Sequence, residues 1–275
     1  MSRRKYQFTE AKVRKYIAEG RGSGDGASYK PWLTVYDLPS RGRSHRPFGI
    51  KTGRTHHLLS DGEWKSFIRF EYDATVLDIR EQFPLDRHQT MRVARDLGYK
   101  HPITTDGTPY VLTIDFLLTR YLEGKLLLEP LSFKYSPSNL SERDWELHNI
   151  AAECVQRNGL ALRMIDERSF DENFIRNYDS IRSCYDLTGR HGYDRQFIAR
   201  LAQPLIAAAH AAFPVSLKEV CYEIGSRFAA EAGDVLAIAK HLIARDVLTL
   251  NLSAYTDYTM APMNEIRVRS KGGIR

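Results

Sequence analysis

Residues 111–118 read VLTIDFLL, and residues 125–134 read KLLLEPLSFK. Both are short, almost wholly apolar runs rich in strand-forming residues, so each predicts a buried strand. A hairpin through residues 121–124 would join them. Asp115 stands inside the first run, and Lys134 closes the second. Burying an unpaired charge costs several kcal/mol or more, so an aspartate in such a strand needs a reason. Either it is paired with a basic residue at the strand end, or it has chemical work to do. The hairpin would bring Asp115 and Lys134 side by side.

Outward from this hairpin, residues 76–82 read as a further strand. Before it, Ser60-Asp61-Gly62-Glu63 matches a capping box, and Trp64, Phe67, Ile68 and Glu71 follow at helical spacing. Residues 44–49 and 55–59 suggest a hairpin through Lys51, Thr52 and Gly53. Thr9 is placed to cap a helix over 10–19 that Gly20 ends. The four glycines of residues 20–30 lack the GxxxxGK[ST] spacing of a nucleotide loop. After the hairpin a helix is predicted from Ser141 to about Asn158, with Gly159 as its stop, then a strand over 160–165. The sum is an α/β core with a mixed sheet.

From about residue 167 the pattern turns mainly helical, with helices over 217–229 and from Gly233-Asp234 to about Ala244. Strands follow over 246–252 and 266–268. Helix, short link, helix and β-hairpin form the outline of a winged helix. The expected division is therefore 1–166 and 167–275.

The chain has 275 residues, 43% of them hydrophobic and 27% charged, as a globular protein with a real core requires. No stretch reaches the length that crosses a bilayer, and no apolar signal region follows the basic N-terminus. Cys154, Cys184 and Cys221 are odd in number and far apart, which argues against a disulfide framework or zinc site and fits a reducing cytoplasm. The net charge is +6, yet residues 1–54 hold 13 Lys or Arg against 4 Asp or Glu. Positive charge is concentrated at the front, where a nucleic-acid backbone is the natural partner. A small basic cluster (Arg267, Arg269, Lys271, Arg275) ends the chain.

Asp115, Lys134 and Glu63 together outline the PD-(D/E)xK nuclease pattern. Carboxylates hold Mg²⁺ through oxygen. The metal makes bound water more acidic and neutralises charge developing on a phosphate. The lysine orients that water or contacts the phosphate. By itself the pattern is weak, and Glu63 also has a plain role as the return arm of the capping box.

Four longer stretches are more specific: KPWLTVYDLPSRGRSHR (30–46), KTGRTHHLLSDGEWKSFI (51–68), VLDIREQFPL (76–85) and KHPITTDGTPYVLTIDFLL (100–118). In order and spacing they resemble the TnsA family, the endonuclease subunits of heteromeric bacterial cut-and-paste transposases. The resemblance implies a restriction-endonuclease-like domain followed by a mainly helical, winged-helix-like one. It implies Glu63 and Asp115 as catalytic carboxylates and Lys134 as catalytic lysine. It also implies Mg²⁺, replaceable by Mn²⁺ and bound as a pair of ions, for hydrolysis of the non-transferred strand. Implied partners are double-stranded DNA at transposon ends, a DDE-type TnsB-like transposase and an AAA+ TnsC-like ATPase regulator, with no membrane.

The family's third metal-site side chain, two residues before the lysine, is a carboxylate or amide; here it is Ser132. The hydroxyl is a weak Mg²⁺ ligand, which would leave the Phe133 carbonyl as a direct one. Glu129 lies at the wrong parity to face the site in a regular strand, and Glu146 on the next helix is another possible carboxylate. Arg41, Arg43, Arg46, Lys51, Arg54 and His56 are candidates for DNA contact, chiefly with phosphates. His56 and His57, adjacent on a strand, would face opposite ways and cannot easily share one ion. Two rival readings stay open: a DNA-binding assembly factor with a weakened metal site, and a free-standing restriction or repair nuclease of the same superfamily.

Overall fold

The computed structural model describes residues 8–37 and 43–269. The chain folds into two compact units, Met1–Phe170 and Asp171–Arg275.

The first unit is a mixed α/β structure whose four-stranded sheet has the order β1-β2-β3-β4. Strand β1 (Val76–Pro84) pairs antiparallel with β2 (Thr113–Leu122), and β2 with β3 (Lys125–Phe133). The short β4 (Arg163–Ile165) runs parallel to β3. The β2–β3 turn is tighter than expected. Only Glu123 and Gly124 lie outside the strands, both with positive φ, as a two-residue turn matched to the strand twist demands.

Helix α1 (Glu10–Ala18) starts at Thr9, whose hydroxyl accepts from the Lys12 N–H. Helix α2 (Asp61–Tyr72) starts at Ser60, whose hydroxyl accepts from the Glu63 N–H. The apolar face of α2 drives Phe67 and Phe70 onto Ile79, Phe116, Leu118 and Leu131 of the sheet. Helix α3 (Arg87–Asp96) is an addition to the sequence reading. Its apolar residues are few and its mean composition polar, yet it packs Val93 and Ala94 on Ile150 and Cys154 of α4 (Glu142–Arg157). Helix α4 begins at a capping box between Ser141 and Asp144. Residues 44–49 and 55–59 form no regular strands but run antiparallel, through isolated bridges of His45 with Leu58 and Phe48 with Thr55 and a bond from the His56 N–H to the Pro47 carbonyl.

The second unit holds α5 (Glu172–Arg182), α6 (Arg195–Ala211), α7 (Leu217–Phe228) and α8 (Ala232–Ala244). Its β-ribbon, β5 (Leu248–Thr249) with β6 (Arg267–Val268), is much shorter than the expected strands. Buried residues Leu201, Leu205, Val235, Ile238 and Leu242 supply its core. Buried Asn177 ties the loop after β5 to α5 by donating to the carbonyls of Leu252 and Tyr255. No helix among the described residues is long and apolar enough to cross a membrane.

Candidate active site

Asp115 lies near the start of β2, between two strands that treat it differently. On one side, the last β2–β3 pair is Phe116 with Leu131, and one step further Asp115 meets Ser132. The Ser132 hydroxyl donates to Asp115 Oδ2 at 3.0 Å, and the Phe133 N–H donates to the same oxygen at 2.7 Å. Among the described residues Oδ1 receives no hydrogen bond. On the other side, β1–β2 pairing runs through Glu81 with Phe116 and resumes at Phe83 with Ile114. Gln82 therefore stands opposite Asp115 without pairing to it. Its backbone is in the left-handed region, φ 47°.

Glu63 reaches the site from the first turn of α2 and is 6% exposed. It does not close the capping box that the sequence suggests, because it accepts from the Leu59 N–H and not from that of Ser60. Its Oε2 accepts from the Leu59 N–H at 2.9 Å and from Gln82 Nε2 at 3.3 Å, while Oε1 accepts from the Ser60 hydroxyl at 3.3 Å. Burial, and next the charge of Asp115, raise the Glu63 pKa from an ordinary 4.5 to about 8. Neither carboxylate has an ion-pair partner among the described residues. Gly62 lets α2 come this close: a Cβ there would lie 2.0 Å from the Phe133 ring.

Lys134 lies just past β3, where its N–H donates to the Ile165 carbonyl at 2.9 Å and so extends the β3–β4 pairing. It follows Ser132 by two residues, the spacing that returns a strand side chain to the same side. It is half-buried and makes no ion pair among the described residues. His148 of α4, which no sequence signal singled out, is close enough to feel both Lys134 and Asp115. Burial first, and the lysine second, hold its pKa below the ordinary value, against the pull of Asp115. Its Nδ1 is shielded from solvent with no hydrogen-bond partner.

The arrangement offers hard oxygen donors. Among the described residues no group of three or more His, Cys, Asp or Glu is set to hold a metal ion. Two carboxyl groups close enough to interact, Glu63 raised in pKa by burial first and by Asp115 next, nonetheless fit Mg²⁺, which takes one or two protein carboxylates and keeps several waters.

Several expectations need correction. Ser132, expected as a weak ligand, instead spends its hydroxyl on Asp115, which it reaches across the strand pair. Arg54, a candidate for DNA contact, is buried. Its guanidinium turns inward onto Glu81 through bonds of 2.8 and 2.6 Å and also donates to the Ile79 carbonyl. His56 is fully buried, its ring between the Thr52 hydroxyl at 2.7 Å and Glu81 at 2.8 Å. Lys51 directs its ammonium to the carbonyls of Asp73 and Val76. In all three cases buried acceptors claim the charge or the ring before solvent can. Arg43 and Arg46 are exposed, the first paired with Asp61 and the second over the Tyr36 ring. Arg41, Lys271 and Arg275 lie outside the described residues. Glu129 turns away from the site to Arg120 and Arg163, and Glu146 pairs with Arg143.

No family model matches the chain. Among curated proteins, the Transposon Tn7 transposition protein TnsA of Escherichia coli is 49% identical over 118 residues. The match spans 43% of this chain and 43% of that relative, well under half of each.

Proposed function

We infer that this chain, a TnsA-family protein by its 118 matched residues, is a metal-dependent DNA endonuclease that cuts the non-transferred strand at transposon ends. One observation carries the reading. Burial, and next the nearby charge of Asp115, raise the Glu63 pKa, and the described residues supply no cation to either carboxylate. A resident protein ion pair would have to be displaced before a metal could bind. Here no protein cation stands at either carboxylate among the described residues, and a bound metal would favour the ionised form of Glu63.

Glu63, Asp115 through its open Oδ1, and the Phe133 carbonyl are the groups that would hold Mg²⁺. When bound, the metal makes water a better nucleophile and neutralises charge developing on the phosphate. The protein's own part is positional. Ser132 and the Phe133 N–H fix Asp115 by its other oxygen, and the Leu59 N–H fixes Glu63. Lys134, just past β3 and without an ion pair among the described residues, holds the scissile phosphate or the attacking water. Water oxygen bonds to phosphorus and the P–O3′ bond breaks. The 3′-oxygen takes a proton, leaving a 3′-hydroxyl and a 5′-phosphate. Exposed Arg43 and Arg46, together with Arg41, contact phosphates and so position the duplex without reading its sequence.

The first unit is a restriction-endonuclease-like domain in this reading. The second, with α7, α8 and the β5–β6 ribbon in winged-helix order, recruits partners. These are a DDE-type, TnsB-like transposase that cuts and joins the other strand, and an AAA+ TnsC-like regulator.

The test is strand-specific cleavage of transposon-end DNA with Mg²⁺, transposase and regulator. Wild type should cut the non-transferred strand. Asp115→Ala should still assemble but cut about a thousandfold less or worse, the scale of losing a group that stabilises transition-state charge. Wild type that assembles yet leaves the strand intact under both Mg²⁺ and Mn²⁺ would make the protein an assembly factor. Cutting without any partner would favour the free-standing nuclease.

A further inference from the structure

A buried residue other than glycine rarely adopts a left-handed backbone, and where one does, the surrounding structure must hold it there. Gln82 is 3% exposed, has φ 47°, and lies within β1. The β1–β2 ladder, which also shifts register between Val76 and Asp78, is interrupted at Gln82, the position facing Asp115. Three bonds hold Gln82. Its carbonyl accepts from the Trp32 N–H at 3.2 Å, and its side-chain oxygen accepts from the Thr113 hydroxyl at 3.0 Å. Its side-chain nitrogen donates to Glu63 Oε2 at 3.3 Å. Thr113 and Asp115 are two residues apart on β2, so one amide spans from the strand carrying one carboxylate to the other carboxylate itself. An amide is the suitable group for this task. It donates to Glu63 without adding a charge that would compete with a bound cation, and its oxygen is fixed by Thr113, so the donor end can point only one way.

We propose that Gln82 is a positioning residue of the metal site, locking Glu63 in register with Asp115 so that the two carboxylates present to one cation. The inference rests on the metal-site reading above. It predicts that a change removing the amide weakens cation binding even when the fold is intact, as loss of groups orienting metal ligands does by about 10- to 100-fold.

The probe is Mn²⁺ alone, titrated into the full-length protein and followed by the electron paramagnetic resonance of free Mn²⁺. Gln82→Gly suits this backbone conformation better than glutamine does and removes the amide, and its metal-free melting temperature reports whether the fold is kept. Gln82→Met keeps side-chain length and removes only the hydrogen bonding. The proposal expects both variants to bind Mn²⁺ about 10- to 100-fold more weakly than wild type, whatever their melting temperatures. Wild-type affinity in either folded variant would overturn it. Glu63→Gln separates the two levels of failure. If it lowers Mn²⁺ affinity while the Gln82 variants do not, the site stands and the Gln82 role falls. If wild type itself binds no Mn²⁺, the metal-site reading falls and takes this proposal with it.

Discussion

Two carboxylates of the first unit are both deeply buried and have opposite electrostatic fates. Glu81, fully buried in β1, is met by the Arg54 guanidinium on both oxygens, by the His56 ring and by the His57 N–H. Burial works against its ionisation, but His56 and Arg54 outweigh burial and hold it well below the usual carboxylate range. Glu63 has only neutral donors, and burial first and the like charge of Asp115 next push it up to about 8. A buried acid with its cation built in is part of the scaffold. A buried acid with neutral donors alone, beside a second acid, keeps its proton to higher pH, and a bound cation can displace that proton. The two clusters adjoin in the chain, since Glu81 is the neighbour of Gln82, which serves the other one.

The largest expected effect comes from breaking the closed cluster. Arg54→Ala strands Glu81 in the core and should cost about 3–5 kcal/mol of unfolding free energy in urea. A cost below about 1 kcal/mol would mean that Arg54 is free to serve DNA after all.

The open cluster should show itself through pH. The folded pKa of Glu63 lies above its unfolded value, so the native metal-free protein binds that proton more tightly. The stability this contributes is complete below about pH 4.5 and is lost as pH rises through about 8. Between about pH 6 and 8 the loss should be about 2 kcal/mol. Glu63→Gln should flatten this part of the stability curve, and an unchanged slope would refute the assignment. Gly62→Ala acts on the same corner by geometry. Its Cβ would run into the Phe133 ring, and overpacking of this kind costs about 1–3 kcal/mol, readable as a lowered melting temperature. The smallest stability effect belongs to the surface. Arg43→Ala should move stability by less than about 0.5 kcal/mol, yet reduce the salt dependence of DNA binding by about one phosphate contact. A salt slope equal to wild type would remove Arg43 from the interface.

Much of this contrast was legible in the sequence, and part was not. Asp115 declared itself as a charge in an apolar strand, and Glu63 through the Ser60 cap that fixes where α2 begins. Lys134 followed from strand length. The direction of a basic side chain was not legible: composition reads Arg43 and Arg54 alike, and only the placement of Glu81 beneath Arg54 tells them apart. Gln82 carried no local signal either. Its left-handed backbone is imposed by contacts with Trp32, Thr113 and Glu63, which are remote from it in sequence or become neighbours only through strand pairing. Helix α3 was hidden because its burial depends on a small apolar patch that α4 completes.

The most direct test is to titrate Glu63 itself, by carbon-13 detection of side-chain carboxyls in the metal-free protein, with Glu63→Gln to assign its resonance. A midpoint near 8 that falls when Mg²⁺ is added is the expected result and would identify Glu63 and Asp115 as a cation site. A midpoint at or below 4.5 without metal would show that the pair already has its counter-charge, as Glu81 does, and would contradict the metal site at its root.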